Sequence, residues 1–101
     1  MKVSELLTRG WCQGTYARDL RGQEVLLDSD EAVSWCFVGA MRRAFLGNNN
    51  DDSKWRAFYK LAADRVGSVL GWNDKEGRTQ DQAITLACEV EEMIAHQEEA
   101  K

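Results

Sequence analysis

The chain has 101 residues, of which 44% are hydrophobic and 30% are charged. This length and apolar content are typical of one domain around one core, and they argue against an intrinsically disordered chain. The formal net charge is −4, and most of the acidic excess lies in the second half. Nucleic-acid binders usually concentrate Lys and Arg on one face, and the sequence shows no such concentration beyond Arg42-Arg43. We therefore expect a single domain over residues 1–101 without a nucleic-acid partner.

The sequence also argues against membrane insertion and secretion. A membrane span needs about 18 apolar residues or more, and the longest apolar run covers residues 36–41. The N-terminus has Glu5 in its first turn and no long apolar segment before a small-residue cleavage site, which argues against a signal peptide. Cys12, Cys36 and Cys88 are an odd number of widely spaced cysteines, as is typical of free thiols in a reducing compartment. We expect a cytoplasmic protein with no disulfide framework and no membrane partner.

The first third of the chain predicts a helix and a hairpin. Val3, Leu6 and Leu7 recur at helical spacing around a possible cap at Ser4, which predicts a first helix ending about Gly10. Residues 15–18 and 23–26 then flank Asp19-Leu20-Arg21-Gly22, where Asp at the first position and Gly at the last are typical of a type I turn. The predicted element is a small β-hairpin that packs on the helices.

Three further helices are predicted. The second runs from Glu31 to Phe45 behind the capping oxygens of residues 28–30, and it is apolar nearly all round, so it is expected to be buried and central. After a polar break at 47–53, a third helix carries an apolar face over residues 55–70. Residues 71–78 are predicted to form a loop. Thr79 and Gln82 then match a capping box that begins a fourth helix, and residues 95–101 are expected to fray.

These elements predict a mainly α fold class. We expect a four-helix domain, orthogonal or bundle-like, with one small β-hairpin between helices 1 and 2.

The usual patterns of metal sites and enzymes are missing from the sequence. The cysteines lack the tight pairing of zinc sites, and residues 48–53 do not match a calcium loop. The glycines do not have the spacing of phosphate or dinucleotide loops. His96 lies about two helical turns from Cys88, too far for a nucleophile and its base. We expect no metal, no cofactor and no catalytic residue.

Two polar clusters are candidates for ligand binding. Arg18-Asp19 lies at the hairpin turn, and Asn73-Asp74 with Arg78 lies in the predicted loop at 71–78. If the clusters converge, an Arg could hold an anion while an Asp acts as a base or orients a ligand. The alternative, which we favour, is that the Asp and Asn side chains satisfy turn and loop backbone while Arg18 pairs with a nearby carboxylate.

Three separated motifs resemble one protein family. The family is DUF6197, which consists of small bacterial and phage proteins, and the three motifs occur here in the order seen in that family. They are residues 11–22 (Trp-Cys-Gln-Gly-Thr-Tyr-Ala-Arg-Asp-Leu-Arg-Gly), residues 32–40, and Trp72-Asn73-Asp74 with Thr79. The resemblance covers most of the chain. It implies a bacterial or phage cytoplasmic protein, and it brings no known activity or functional residue.

The favoured function is therefore that of a non-catalytic protein-interaction or accessory protein. Self-association as a homodimer is one form of this hypothesis, because Leu61, Ile84 and Cys88 lie off the main apolar faces of their helices. The alternative is a small-anion-binding protein or hydrolase that uses Arg18, Asp19, Asp74 and Arg78. That alternative requires the four side chains to meet at a concave site.

Overall fold

The computed structural model describes residues 1–45 and 53–99, and these residues are mostly helical. The helices are α1 (Val3–Arg9), α2 (Phe37–Ala44), α3 (Ser53–Val66), α4 (Val69–Asp74) and α5 (Gln80–Glu99). A two-stranded antiparallel sheet, β1 (Ala17–Arg18) and β2 (Ser34–Trp35), lies between α1 and α2. The prediction of a mainly α fold with a small β-hairpin between the first two helices is confirmed, with α4 as an additional short helix. The described helices include none that is both long and apolar enough to span a bilayer.

The core forms where α1, α2, α3 and α5 meet. Its largest fully buried side chains include Phe37, Phe58, Leu7 and Met41. The Phe37 ring centre lies 6.0 Å from that of Phe58 and 6.2 Å from that of Trp72, so α2 contacts both α3 and α4 through aromatic rings. Residues 37–41 are all buried, as predicted for a helix that is apolar nearly all round.

Helix α1 is fixed on α5 by polar contacts at both ends. The Ser4 hydroxyl donates to Glu91 Oε1 at 2.6 Å, and the Ser4 backbone N–H donates to Glu91 Oε2. Gln80 Nε2 donates to the Leu7 carbonyl at 2.8 Å. The cap predicted at Ser4 is wrong, because the helix begins one residue earlier and Lys2 occupies the N-cap position.

The turn predicted at residues 19–22 is formed, but most of its second arm is not a strand. Asp19 Oδ1 accepts from the N–H groups of Arg21 and Gln23, both at 2.9 Å, and Gly22 has a φ of +82°. Residue 24 makes only an isolated bridge to Arg18. The strand partner of β1 is instead β2, with Ala17 opposite Trp35, and Trp35 also pairs in parallel with Trp11. Short segments distant in sequence thus form one small sheet.

Helix α2 begins at Phe37, so the predicted start at Glu31 is wrong. Residues 34–35 are taken by β2, and Cys36 becomes the N-cap, its Sγ accepting from the Gly39 N–H at 3.2 Å. Ser29, predicted as part of the cap, closes a turn by accepting from the Glu31 N–H. Gly39 lies against the Tyr16 carbonyl so closely that a Cβ there would overlap it.

The predicted third helix is divided in two. Gly67 has a φ of +78°, which ends α3, and the Ser68 hydroxyl then caps α4 by accepting from the Gly71 N–H. Residues 71–74, predicted as loop, are therefore helical.

The predicted capping box of the last helix is formed. The Thr79 N–H donates to Gln82 Oε1 at 3.1 Å, and the Gln82 N–H donates to Thr79 Oγ1 at 3.2 Å. Helix α5 continues to Glu99, so residues 95–99, predicted to fray, are helical. The described residues do not include 100 and 101. They also do not include the predicted break at 47–53, except for Ser53, which begins α3.

Candidate functional site

The polar centre of the protein is Asn73, whose side chain is fully buried at the end of α4. Its Oδ1 accepts from Trp11 Nε1 at 2.8 Å and from the Phe37 N–H at 2.9 Å. Its Nδ2 donates to the Cys12 carbonyl at 3.2 Å and to Asp74 Oδ1 at 3.0 Å. One amide thus joins the segment after α1, the first turn of α2 and the end of α4.

Residues 13 and 14 wrap around the same end of α4. Gln13 Nε2 donates to the Asn73 carbonyl at 2.9 Å and to the Lys75 carbonyl at 3.0 Å, so it satisfies carbonyls that a helix end leaves without helical partners. The Gly14 N–H donates to Asp74 Oδ1 at 3.0 Å. Asp74 Oδ1 therefore accepts two hydrogen bonds, one from the loop and one from its neighbour Asn73.

Arg18 closes the other side of this loop. Its Nη2 donates to the Gln13 carbonyl at 3.0 Å, and its Nη1 donates to the Gly22 carbonyl at 2.9 Å. The guanidinium thus ties the loop at residue 13 to the turn at 19–22. Both acceptors are backbone carbonyls, so the prediction that Arg18 pairs with a nearby carboxylate is wrong. Asp19, next in the chain, is used by its own turn.

Arg78 lies in a different environment. Its guanidinium stacks 4.2 Å from the Trp72 ring centre, and its Nε donates to the Trp72 carbonyl at 2.8 Å. It lines a groove of about 400 Å³ with Trp72, Arg65, Asp81 and Glu89, and neither Arg18, Asp19 nor Asp74 lines that groove. Arg65 and Glu89 form an ion pair there.

The structure thus brings together Arg18, Asn73 and Asp74 around residues 13–14, and it leaves Asp19 and Arg78 outside this cluster. The polar atoms of the cluster donate to or accept from the protein itself. In residues 1–45 and 53–99, every buried side-chain nitrogen and oxygen has a hydrogen-bond partner. Over the same ranges no three His, Cys, Asp or Glu side chains are placed to hold a metal ion. The hydrogen bonds of this cluster join the loop at residues 13–14, the end of α4 and the turn at 19–22.

Two thiols lie beside the cluster and are poor nucleophiles. Burial raises the pKa of Cys36 to about 11, although the hydrogen bond from the Gly39 N–H opposes the rise. Burial also raises the pKa of Cys12, against the opposing influence of Ser34 and of the Arg18 charge. Both thiols are therefore protonated at neutral pH, whereas Cys88 is exposed on α5.

Sequence reasoning missed Trp11, Gln13 and Gly14, which supply half of this network. The Trp11 indole N–H donates to Asn73, and the Gly14 backbone N–H donates to Asp74. The Gln13 side-chain amide donates to the carbonyls at the end of α4. The available signal was their position in the motif at residues 11–22, which is one of the three segments that carry the family resemblance.

Comparison with known proteins identifies one family. No curated protein and no solved structure matches the chain significantly. A family of unknown function, DUF6197, matches residues 2–92, which include the whole Asn73 network. The chain therefore belongs to the DUF6197 family.

Proposed function

We propose that the protein is a non-catalytic protein-interaction or accessory protein of the cytoplasm. The observation that carries this proposal is the exposed apolar surface of residues 16–33, which we call the arm. Of the seven large hydrophobic residues exposed in the described ranges, four belong to the arm: Tyr16, Leu20, Leu26 and Val33. Leu20 is 90% exposed and Leu26 is 77% exposed, so a partner that covered them would remove two large apolar side chains from water.

The arm is exposed but fixed. Ala17 within the arm and its β2 partner Trp35 are both buried, and the Val25 N–H donates to the Ala17 carbonyl at 3.1 Å. Arg18 ties the arm to the loop at residue 13. Apolar side chains held on a rigid support lose little conformational entropy on binding, which favours a docking surface. The polar cluster, by contrast, offers fewer groups to a substrate, because Asn73, Asp74 Oδ1 and both Nη atoms of Arg18 already bond to the protein.

Site-specific photo-crosslinking tests the proposal. A benzophenone side chain at position 20 or 26, in cells of the protein's source, is expected to give discrete adducts. The same group at Thr8, an exposed polar position on α1, is expected to give none. If positions 20 and 26 give no more adducts than position 8, the arm is not the docking surface.

A second measurement distinguishes self-association from binding of another protein. If the partner is a second copy, sedimentation of the purified protein shows a dimer that the double substitution Leu20→Asp and Leu26→Asp abolishes. Leu70→Asp is the matched control, because Leu70 is 42% exposed and lies outside the arm. Of the residues first considered for a dimer, Leu61 and Ile84 pack partly against the core, which makes the arm the better candidate.

A further inference from the structure

One outer edge of the small sheet belongs to the arm. β1 pairs with β2 on one side, and on the other side Arg18 forms an antiparallel bridge to Glu24. The Gln23 carbonyl accepts from the Asp19 N–H at 2.9 Å, and the Val25 N–H donates to β1 at 3.1 Å. Because these groups of residues 23 and 25 face β1, the N–H and C=O of Glu24 face away from it. Glu24 therefore lies at the outer edge.

The backbone at this edge has unused hydrogen-bonding groups. Within residues 1–45 and 53–99, neither the N–H nor the C=O of Glu24 has a hydrogen-bond partner, and the Leu26 N–H has none either. Both residues are exposed, so an added chain has access to them. Unpaired N–H and C=O groups on an exposed edge are a template for one more strand.

The side chains along the edge alternate between core and solvent. Val25 and Leu27 pack partly against the core, whereas Glu24 and Leu26 are exposed. In neighbouring antiparallel strands, directly opposite side chains lie on the same face about 4.5–5.5 Å apart. An added strand would therefore place one side chain beside Glu24 and another, two positions along, beside Leu26. A Lys or Arg suits the first place and an apolar residue suits the second.

The charge of the arm favours a basic partner over a second copy. Residues 16–33 contain two Arg against five Asp and Glu, a net charge of −3. Four of these acids are exposed and form no ion pair within the described part of the chain: Glu24, Asp28, Asp30 and Glu31. Two copies paired edge to edge would bring these carboxylates together, and like charges opposite each other are destabilising. A segment with Lys or Arg would meet opposite charge instead.

We propose that the arm binds its partner by strand addition, in which an extended basic segment of another protein pairs antiparallel with the edge at residues 23–26. The segment carries Lys or Arg beside Glu24 and an apolar residue two positions away beside Leu26. Main-chain hydrogen bonds to Glu24 supply affinity, and the two side chains supply specificity. This inference rests on the proposed function, because it names the class of partner that the arm binds.

A synthetic strand titrated with the full chain tests the proposal. The probe is a fluorescein-labelled octapeptide, Lys-Thr-Val-Thr-Lys-Thr-Val-Thr, followed by fluorescence anisotropy. In the paired register the Lys and Val backbone N–H groups face the protein, and the Thr N–H groups face away. N-methylation of the Lys and Val nitrogens should weaken binding at least about tenfold, because it removes the donors at the interface. N-methylation of the Thr nitrogens is the matched control and should weaken it less than about threefold.

Substitutions at Glu24 test the same edge from the side of the protein. Glu24→Pro removes an N–H that bonds to no described residue, and its ring lies in the path of an added strand, so binding should weaken at least about tenfold. Glu24→Gln should weaken it about two- to fivefold by removing charge. Glu76→Gln, which removes an exposed charge outside the arm, should change it less than about twofold.

Amide hydrogen exchange gives a readout that needs no variant, should Glu24→Pro fail to fold. The Glu24 amide should exchange at least about tenfold more slowly when the octapeptide saturates the protein, because a ladder hydrogen bond then protects it. A partner that docks through side chains alone would leave this exchange rate unchanged.

Three results would overturn the proposal. They are no binding of the unmodified octapeptide, a loss from N-methylation of Thr as large as that from Lys and Val, and an unprotected Glu24 amide in the complex. A Glu24 amide already protected in a dimer of the free protein would assign the edge to a second copy. Crosslinking at positions 20 and 26 tests the docking function separately. Adducts that persist in the Glu24→Pro variant would leave the arm as a docking surface and refute strand addition.

Discussion

Replacing Asn73 by Ala should remove a large part of the stability of the protein. The substitution leaves Trp11 Nε1, the Phe37 N–H and the Cys12 carbonyl without their partner, while Asp74 keeps the Gly14 N–H. Each buried group left unpaired costs about 1–3 kcal/mol. Alanine returns up to about 0.7 kcal/mol through its higher helix propensity. Trp11 is only partly buried, so we take about 1–2 kcal/mol for each of the three groups. The expected net loss is then about 2–5 kcal/mol, against about 5–15 kcal/mol for the whole free energy of unfolding of a typical domain.

Equilibrium unfolding in urea, followed by circular dichroism and tryptophan fluorescence, measures this loss. Gln13→Ala is the matched control, because it also removes two hydrogen bonds but leaves only one buried group unpaired, the Asn73 carbonyl, whereas Lys75 is exposed. It should cost about 1–2 kcal/mol. The reasoning is refuted if Asn73→Ala unfolds within about 1 kcal/mol of the unsubstituted protein, or if the two variants lose the same amount.

Three further predictions concern backbone packing, thiols and capping. Gly39→Ala should lower the free energy of unfolding by more than about 2 kcal/mol, because its Cβ overlaps the Tyr16 carbonyl. Gly71→Ala should lower it less, because its Cβ meets only the Ser68 side chain, with Oγ at 3.2 Å. Thermal melts that rank the two variants the other way would contradict this. The pKa of Cys36 is raised in the folded protein to about 11 from its usual value near 9, so the neutral thiol stabilises the fold below pH 9. As the pH rises to 11, the free energy of unfolding should fall by up to about 2–3 kcal/mol. In urea titrations, the Cys36→Ser variant should not show that part of the loss of stability at alkaline pH. In the unsubstituted protein at pH 8, a thiol reagent should label only Cys88 until urea is added. Thr79→Ala should cost about 1 kcal/mol in the same urea assay by removing the α5 cap, and no change would show that the capping box contributes nothing to stability.

Elements set by neighbouring residues could be predicted from the sequence. The capping box at Thr79 and the turn closed by Asp19 each depend on side chains within four residues of the backbone groups they bond. Their formation needs no information about the rest of the fold, so composition and spacing were sufficient.

Elements set by distant contacts could not be predicted in the same way. Residues 31–36 continue the apolar pattern of α2, yet Ser34 and Trp35 pair with β1 and Trp11, and nothing local distinguishes that outcome from a longer helix. Gly67 interrupts a face that remains apolar on both sides, so the division into α3 and α4 depended on its positive φ.

The site shows the same distinction. The Asp and Asn side chains were expected to satisfy turn and loop backbone groups. Asp19 bonds within its own turn, whereas three of the four hydrogen bonds of Asn73 reach groups 36 to 62 residues away, and the fourth is to Asp74. The contact of Arg42 with the Trp55 ring could not be found by a count along the chain, because it forms only after α2 and α3 have packed.

The contact between α1 and α5 has a consequence for biosynthesis. Gln80 and Leu7, which it joins, are 73 residues apart, and ribosomal synthesis delivers α1 long before α5. Val3, Leu6 and Leu7 are therefore made well before the helix that covers them, and a nascent chain that lacks α5 exposes them to solvent or to chaperones. This part of the core closes only once α5 has left the ribosome, so the domain cannot complete its folding before α5 has been made.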